Sequence, residues 1–248
     1  MTQSIAIISD IHSNSIALEA VLKDISARDI KLIVNLGDSL FGPIDPVGTA
    51  RLLMNNTDVI NIMGNCDQIL LKEESDSATY KFVKPFINDE IKQWIRSFKT
   101  TWEFETILFC HGTPFSNEQY LLEEVNEMGV QYKNQQQLSM ELEEVPHHYI
   151  FCGHSHVFRT IYLPSGKLIV NSGSVGLPAY DDEAPFPHVM ESNSPYADYV
   201  IAHKTEDGNW SIEHIMIHYD WDKASSIAED NGRRDYAFAI KTGRALRE

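Results

Sequence analysis

Apolar positions near the N-terminus fall into short blocks of two different periods. Ile5-Ala6-Ile7-Ile8 is a continuous apolar run of the kind found in a strand buried on both faces, and Ile16 to Arg28 carries helical spacing at Ile16, Leu18, Val21, Leu22 and Ile25. Leu32-Ile33-Val34 reads as the next strand. A helix is expected over 47–55 with Pro46 in its first turn, and Val59 to Met63 reads as a third strand. Strand and helix alternating in this way predict a parallel α/β core.

From Asp67 to Lys99 the pattern is mainly helical and polar, with Ile91, Trp94, Ile95 and Phe98 forming one apolar stripe suited to core contacts. The period then shortens. Thr101–Phe104 and Ile107–Cys110 read as a hairpin, Tyr132–Glu144 as a polar helix, and Tyr149–Cys152, Phe158–Leu163 and Leu168–Asn171 as strands with a Pro164-Ser165-Gly166 turn. After Gly176 comes a loop carrying Pro178, Pro185, Pro187 and Pro195 and the acidic run Asp181-Asp182-Glu183. Two strands follow, Tyr199–His203 and Trp210–His218, and then a C-terminal helix with Asp222 as N-cap that stops near Gly232. No repeat or linker breaks the chain, so one domain over 1–248 with two sheets is expected. Residues 179–195 and the segment 219–248 are available as a cap.

At 248 residues and 43% hydrophobic content the chain can bury a sizeable core, and no apolar run reaches the length of a membrane span. The N-terminal residues lack a basic segment followed by an apolar one, so export is not expected. Cys66, Cys110 and Cys152 form no CxxC pair and are odd in number, which favours reduced thiols and a cytoplasmic location. A formal charge of -16 disfavours stable nucleic-acid binding. It would also repel a phosphate substrate unless local positive charge corrects the field, and bound divalent cations are one source of that charge.

Five short motifs follow strand-like runs directly: Asp10-Ile11-His12, Gly37-Asp38, Gly64-Asn65-Cys66-Asp67, His111-Gly112 and Gly153-His154-Ser155-His156. Ligands of open α/β sheets bind beyond the carboxyl ends of strands, where these motifs lie. Residues i and i+2 of an extended backbone project to one side, so Asp10 and His12 can converge on one ion, and the same spacing recurs at His154 and His156. Apart from Asp67, the motifs together offer four imidazoles, two carboxylates and one amide oxygen. That mixture suits manganese, iron, zinc, nickel or cobalt better than calcium. Singly each has an ordinary turn or core explanation; five in register with five strands do not.

The ordered set resembles the calcineurin-like metallophosphoesterase superfamily, whose pattern D-x-H, G-D, G-N-x-[DE], H-G, G-H-x-H is met from Asp10 to His156 over about two thirds of the chain. Asn171-Ser172-Gly173-Ser174-Val175-Gly176-Leu177-Pro178 is similar to a segment of its small bacterial and archaeal phosphodiesterase branch. The resemblance implies a four-layer α/β/β/α fold, a two-sheet sandwich flanked by helices. It implies two divalent transition-metal ions, with manganese the first expectation. Asp10, His12 and His156 would hold one ion, Asn65, His111 and His154 the other, and Asp38 both. A hydroxide between the ions would attack phosphorus in line.

The expected activity is that of a phosphodiesterase or nucleotide phosphohydrolase on a small phosphate-ester or nucleotide substrate. Gly37-Asp38 continues as Ser39-Leu40 and lacks the Asp-Arg-Gly extension of Ser/Thr protein phosphatases. That reading therefore ranks lower, beside a non-catalytic scaffold of the same fold. Asp38, Asn65 and Asp67 form the expected catalytic group, with Asp67 orienting a histidine ligand or else capping a turn. Asn65 and Asn14 are the expected substrate contacts, a helix N-cap being the other reading of Asn14. Many members place histidine after the asparagine, where it assists the leaving group; here that position is Cys66. A thiol is a poor acid near neutral pH, so substrates whose leaving group departs without proton help are favoured, unless Cys66 is simply a small buried residue. His147 and His148 read as surface residues, and Arg233, Arg234 and Arg244 as solvated helix charge rather than substrate contacts.

Overall fold

The computed structural model describes residues 3–247. Its first half alternates strand and helix: β1 (Ser4–Ile8), α1 (Ser15–Ala27), β2 (Leu32–Asn35), α2 (Pro46–Met54), β3 (Val59–Asn61), then α3 (Asn65–Leu70), α4 (Ala78–Val83) and α5 (Asp89–Arg96). Strands dominate the second half: β4 (Thr101–Phe104), β5 (Ile107–Cys110), β6 (Glu123–Asn126), β7 (Gly129–Tyr132), α6 (Gln135–Glu141), β8 (Tyr149–Cys152), β9 (Arg159–Tyr162) and β10 (Leu168–Asn171). The chain continues through β11 (Ala179–Asp182), β12 (His188–Glu191), β13 (Ala197–Lys204), β14 (Trp210–Ile217), α7 (Trp221–Asp230) and α8 (Arg234–Thr242).

Two five-stranded sheets form the frame, ordered β14-β13-β1-β2-β3 and β4-β5-β8-β10-β9. Within them β1, β2 and β3 are parallel, as are β5, β8 and β10. Alternation along each strand decides what each face buries. Ile5 and Ile7 of β1 pack with Val34, Phe109, Phe151 and Val170 between the sheets. Ala6 and Ile8 face the other way, onto Leu18, Val21 and Ile25 of α1 and Ile240 of α8. On the far side, Leu108 and Ile150 pack with Leu138 of α6. Helix, sheet, sheet and helix thus make four layers, and the carboxyl ends of the parallel strands of both sheets meet the ligand-bearing loops.

Three segments depart from the sequence expectation. The helix expected over 132–144 is shorter, because Tyr132 completes the β6–β7 hairpin and Asn134 caps α6 by accepting from the N–H groups of Gln136 and Gln137. The loop after Gly176 contains the β11–β12 hairpin. At the C-terminus Asp220, not Asp222, caps α7, and a second helix, α8, follows the break at Gly232. Among the described residues no helix is long and apolar enough to cross a membrane.

Candidate metal centre

The site is built at strand ends, on unusual backbone. Asp10, His12, Asp38, His154 and His156 adopt φ of 54°, 47°, 56°, 69° and 61°. Left-handed backbone disfavours any residue with a side chain, and such strain concentrates where function over-determines the structure. The expectation that the i, i+2 spacing works through extended backbone is therefore corrected. Each pair sits on a sharply turning loop, which aims Asp10 and His12 at one place and sends His154 and His156 to two different ligand groups. Backbone bonds lock these loops together, Asp10 N–H to Gly37 O at 2.9 Å, His12 N–H to Asp38 O at 3.0 Å and Gly153 N–H to His111 O at 2.7 Å. Glycine is required where they touch. A Cβ on Gly64 would lie 2.0 Å from Asp38 Oδ1, and one on Gly153 2.0 Å from Ser9 Oγ.

Two groups of possible ligands result, Asp10 with His12 and His156, and Asp38 with His111 and His154, the ligand atoms within each lying within 4.8 Å of one another. Outer contacts fix which ring nitrogen faces inward. His12 Nδ1 lies 2.7 Å from Phe41 O, His111 Nδ1 3.0 Å from Leu36 O and His156 Nδ1 2.5 Å from Leu177 O. Carbonyls only accept, so each Nδ1 carries the proton and each Nε2 presents a lone pair to the site.

Acceptors accumulate inside. His12 Nε2 and His156 Nε2 are 3.2 Å apart, and Asn65 Oδ1 is 2.9 Å from His111 Nε2. Asp10 Oδ2 receives Ser9 Oγ–H at 2.6 Å and the His154 N–H at 3.0 Å, while buried Asp10 Oδ1 lacks a donor. Converging buried acceptors with no proton between them need a cation. Nitrogen and oxygen donors at this density fit a divalent transition metal.

The protonation states of two of the histidines agree. Burial, then the nearby His156, pushes His12 down to about 4, and burial, then His111, pushes His154 down to about 3. Both rings are uncharged at neutral pH, as ligation requires. Burial alone would raise Asp10, but His156, His111 and His12 hold it below the usual carboxylate range. Asp38 joins the groups. Its Oδ1 accepts the Cys66 N–H at 2.9 Å, while Oδ2 lies 3.8 Å from His12 Nε2 and 3.5 Å from His111 Nε2.

The calcineurin-like phosphoesterase superfamily domain matches residues 4–191, three quarters of the chain, and so spans both ligand groups. The chain belongs to that superfamily. It is 28% identical over 247 residues to an uncharacterized protein of Methanocaldococcus jannaschii, the match covering 89% of each chain. Its fold is similar to a metallophosphoesterase from Sphaerobacter thermophilus, with TM-score 0.77, 21% identity and coverage of 98% of this chain and 100% of that one. A hypothetical protein from Pyrococcus horikoshii is also similar, with TM-score 0.71, 16% identity and coverage of 98% and 99%. The superfamily is one of metal-dependent phosphoester hydrolases, and two ligand groups are in place here.

Two expected roles change. Asn14 takes the other role considered for it, that of helix cap: it is fully buried, its Oδ1 caps α1 through the Ala17 N–H at 3.1 Å, and its Nδ2 donates to Gly176 O at 3.0 Å. Asp67 orients no histidine. Its oxygens accept the N–H groups of Asp38 at 2.8 Å, Ser39 at 3.0 Å and Gly64 at 3.1 Å, holding the Asp38 loop against the turn that presents Asn65. The segment from Asn171 to Leu177 braces the centre: Ser174 Oγ–H donates to Asp10 O at 2.8 Å and Asn171 Nδ2–H to Gly153 O at 2.7 Å. His147, expected at the surface, is buried with Nε2 3.3 Å from Glu103.

A cavity of about 420 Å³ opens over the ligands, lined also by Cys66, Tyr120, Tyr180, Asp181 and Arg233. Sequence reasoning missed the tyrosines. The Tyr120 ring stacks on His154 with centroids 4.5 Å apart, and its hydroxyl lies 2.7 Å from that of Tyr180, which donates to His154 O at 3.0 Å. No local pattern marks either residue, since each is recruited by the fold.

Proposed function

We propose that the protein is a binuclear, metal-dependent phosphodiesterase or nucleotide phosphohydrolase acting on small substrates. The position of Asp38 carries the reading: one oxygen is fixed by a backbone N–H and the other faces a histidine of each ligand group. Asp10, His12 and His156 would hold one divalent ion, Asn65, His111 and His154 the second, and Asp38 would bridge them, with manganese the first choice. Such ions supply Lewis acidity toward a phosphoryl oxygen and lower the pKa of water to about 7. The protein's part is to fix the donors before substrate arrives, through the Phe41, Leu36 and Leu177 carbonyls and the Asp67 clamp. Asn65 lines the cavity, and there it would touch phosphate as well as metal. The β11 strand and the α8 segment both line the cavity, which suits a cap over a single-domain site and selection for small molecules. Three unpaired cysteines and a charge of -16 accord with a reducing cytoplasm and with no stable nucleic-acid partner. Chelated protein should be inactive on bis(p-nitrophenyl) phosphate and recover on adding manganese. Absence of turnover with manganese, nickel, cobalt, iron and zinc, despite bound metal, would overturn the proposal.

Cys66 shapes the leaving-group preference. Burial, then the Asp38 carboxylate, pushes its thiol well above the ordinary range, so it stays protonated and is a weaker acid than imidazole. The p-nitrophenyl ester of thymidine 5′-phosphate should be cleaved far faster than the methyl ester. Cys66→His should narrow that ratio by roughly tenfold or more, since a placed general acid contributes about 10²–10⁴-fold. Measured kcat/KM for both esters checks this; equal rates in the unsubstituted protein contradict it.

A further inference from the structure

On one side of the cavity stands a cation that the metal centre does not use. Among the described residues that line the cavity, Arg233 is the only lysine or arginine, while Asp181 and Asp182 line it from β11. In a protein of net charge -16 a lone arginine facing the ligand-bearing pocket is a strong local feature. Its fork is rigidly set. Nε–H and Nη2–H donate to the two carboxylate oxygens of Asp235 at 2.9 and 2.5 Å, and Nη1–H donates to Thr79 Oγ1 from α4. The guanidinium carbon lies 4.3 Å from the centroid of the Tyr236 ring. A guanidinium has five N–H donors, and three are engaged, which leaves two. Its side chain is only 19% exposed, against 40% for Asp235, so the arginine is held while its carboxylate partner can turn toward water. A fork pre-organised in this way loses little entropy when it binds a phosphate.

Resting on the phosphodiesterase reading, we propose that Arg233 is a specificity determinant that receives a second anionic group of the substrate, a phosphate beyond the one being hydrolysed. The substrate class is then a phosphodiester carrying an additional phosphate. Asp181 and Asp182 also line the cavity and would repel an anionic group, which leaves Arg233 as the group that can receive it. A purely structural account would make Arg233 a clip that fastens the start of α8 to α4 through Thr79. The two accounts differ in what Asp235 does. As a clip, Asp235 needs its charge to strengthen the site; beside the extra phosphate, that charge opposes binding although its oxygens hold the fork.

The test compares the p-nitrophenyl ester of thymidine 5′-phosphate with the same ester phosphorylated at the 3′ oxygen, using the full chain loaded with manganese. The ratio of kcat/KM for the phosphorylated over the plain ester should be roughly tenfold or more, as a charge-assisted pair supplies. Arg233→Gln should bring that ratio close to one, and Asp235→Asn should hold or raise it. Calorimetric binding of thymidine 3′,5′-bisphosphate against thymidine 5′-monophosphate reads the same contrast without turnover. A ratio near one in the unsubstituted protein, a ratio unchanged by Arg233→Gln, or a ratio lowered by Asp235→Asn would overturn the inference. Selective binding of the bisphosphate that Arg233→Gln abolishes, with neither ester hydrolysed, would instead overturn the enzymatic reading and leave Arg233 as an anion site.

Discussion

Asp38→Ala is expected to lower turnover of bis(p-nitrophenyl) phosphate by about a thousandfold or more, roughly 4 kcal/mol of barrier. The size follows from position. Asp38 Oδ2 faces His12 Nε2 at 3.8 Å and His111 Nε2 at 3.5 Å, so one truncation removes a negative charge from both ligand groups at once. The four histidines remain but lose the carboxylate between them, and metal content measured after dialysis should fall along with activity. Asp38→Asn separates charge from shape. Its amide oxygen can still accept the Cys66 N–H, which Asp38 Oδ1 does at 2.9 Å, so the loop should keep its path while metal affinity drops. Asp38→Asn with undiminished activity and full metal content would contradict the bridging role.

Asp67→Ala should damage stability and activity together, for a different reason. Asp67 is fully buried and touches no ligand side chain directly; its oxygens accept three backbone N–H groups, from Asp38, Ser39 and Gly64. Leaving buried donors unsatisfied costs about 1–3 kcal/mol each, so a loss of roughly 3–5 kcal/mol is expected in urea unfolding, allowing for partial relaxation. Activity should fall as well, because the same bonds set where Asp38 and the Gly64–Asn65 turn stand. Asp67→Asn keeps an acceptor oxygen and should lose markedly less stability than alanine. Equal stability of Asp67→Ala and the unsubstituted protein would show that the clamp is not needed.

The seven proposed ligands were legible in the sequence because each lies within four residues of a strand whose apolar run is unmistakable, as with Ile5–Ile8 before Asp10 and Tyr149–Cys152 before His154. Which side chains belong together was legible only through the superfamily pattern, and the backbone that aims them was not. Left-handed conformation at Asp10 or His156 is fixed by neighbouring loops through bonds such as Asp10 N–H to Gly37 O, and the modest tolerance of Asp and His for it is too weak a signal to mark the position in sequence. Helix α8 escaped notice because its cap position is Arg233, which gives no side-chain capping bond and so no start signal. The β6–β7 hairpin escaped because Glu123-Glu124-Val125-Asn126 is polar by pattern; burial of Glu123, with Ser155 Oγ–H donating to its Oε1 at 3.2 Å, is a long-range event. Arg233, Tyr120 and Tyr180 share that origin. They reach the cavity through folding alone, which is why reading the chain locally gives the centre and leaves out its walls.

Anomalous diffraction from crystals of the manganese-loaded protein tests the central claim most directly. The account predicts two peaks per chain, one among Asp10, His12 and His156, the other among Asn65, His111 and His154, with Asp38 reaching both. A single peak that Asp38 does not touch, or manganese bound elsewhere while this cluster stays empty, would contradict it.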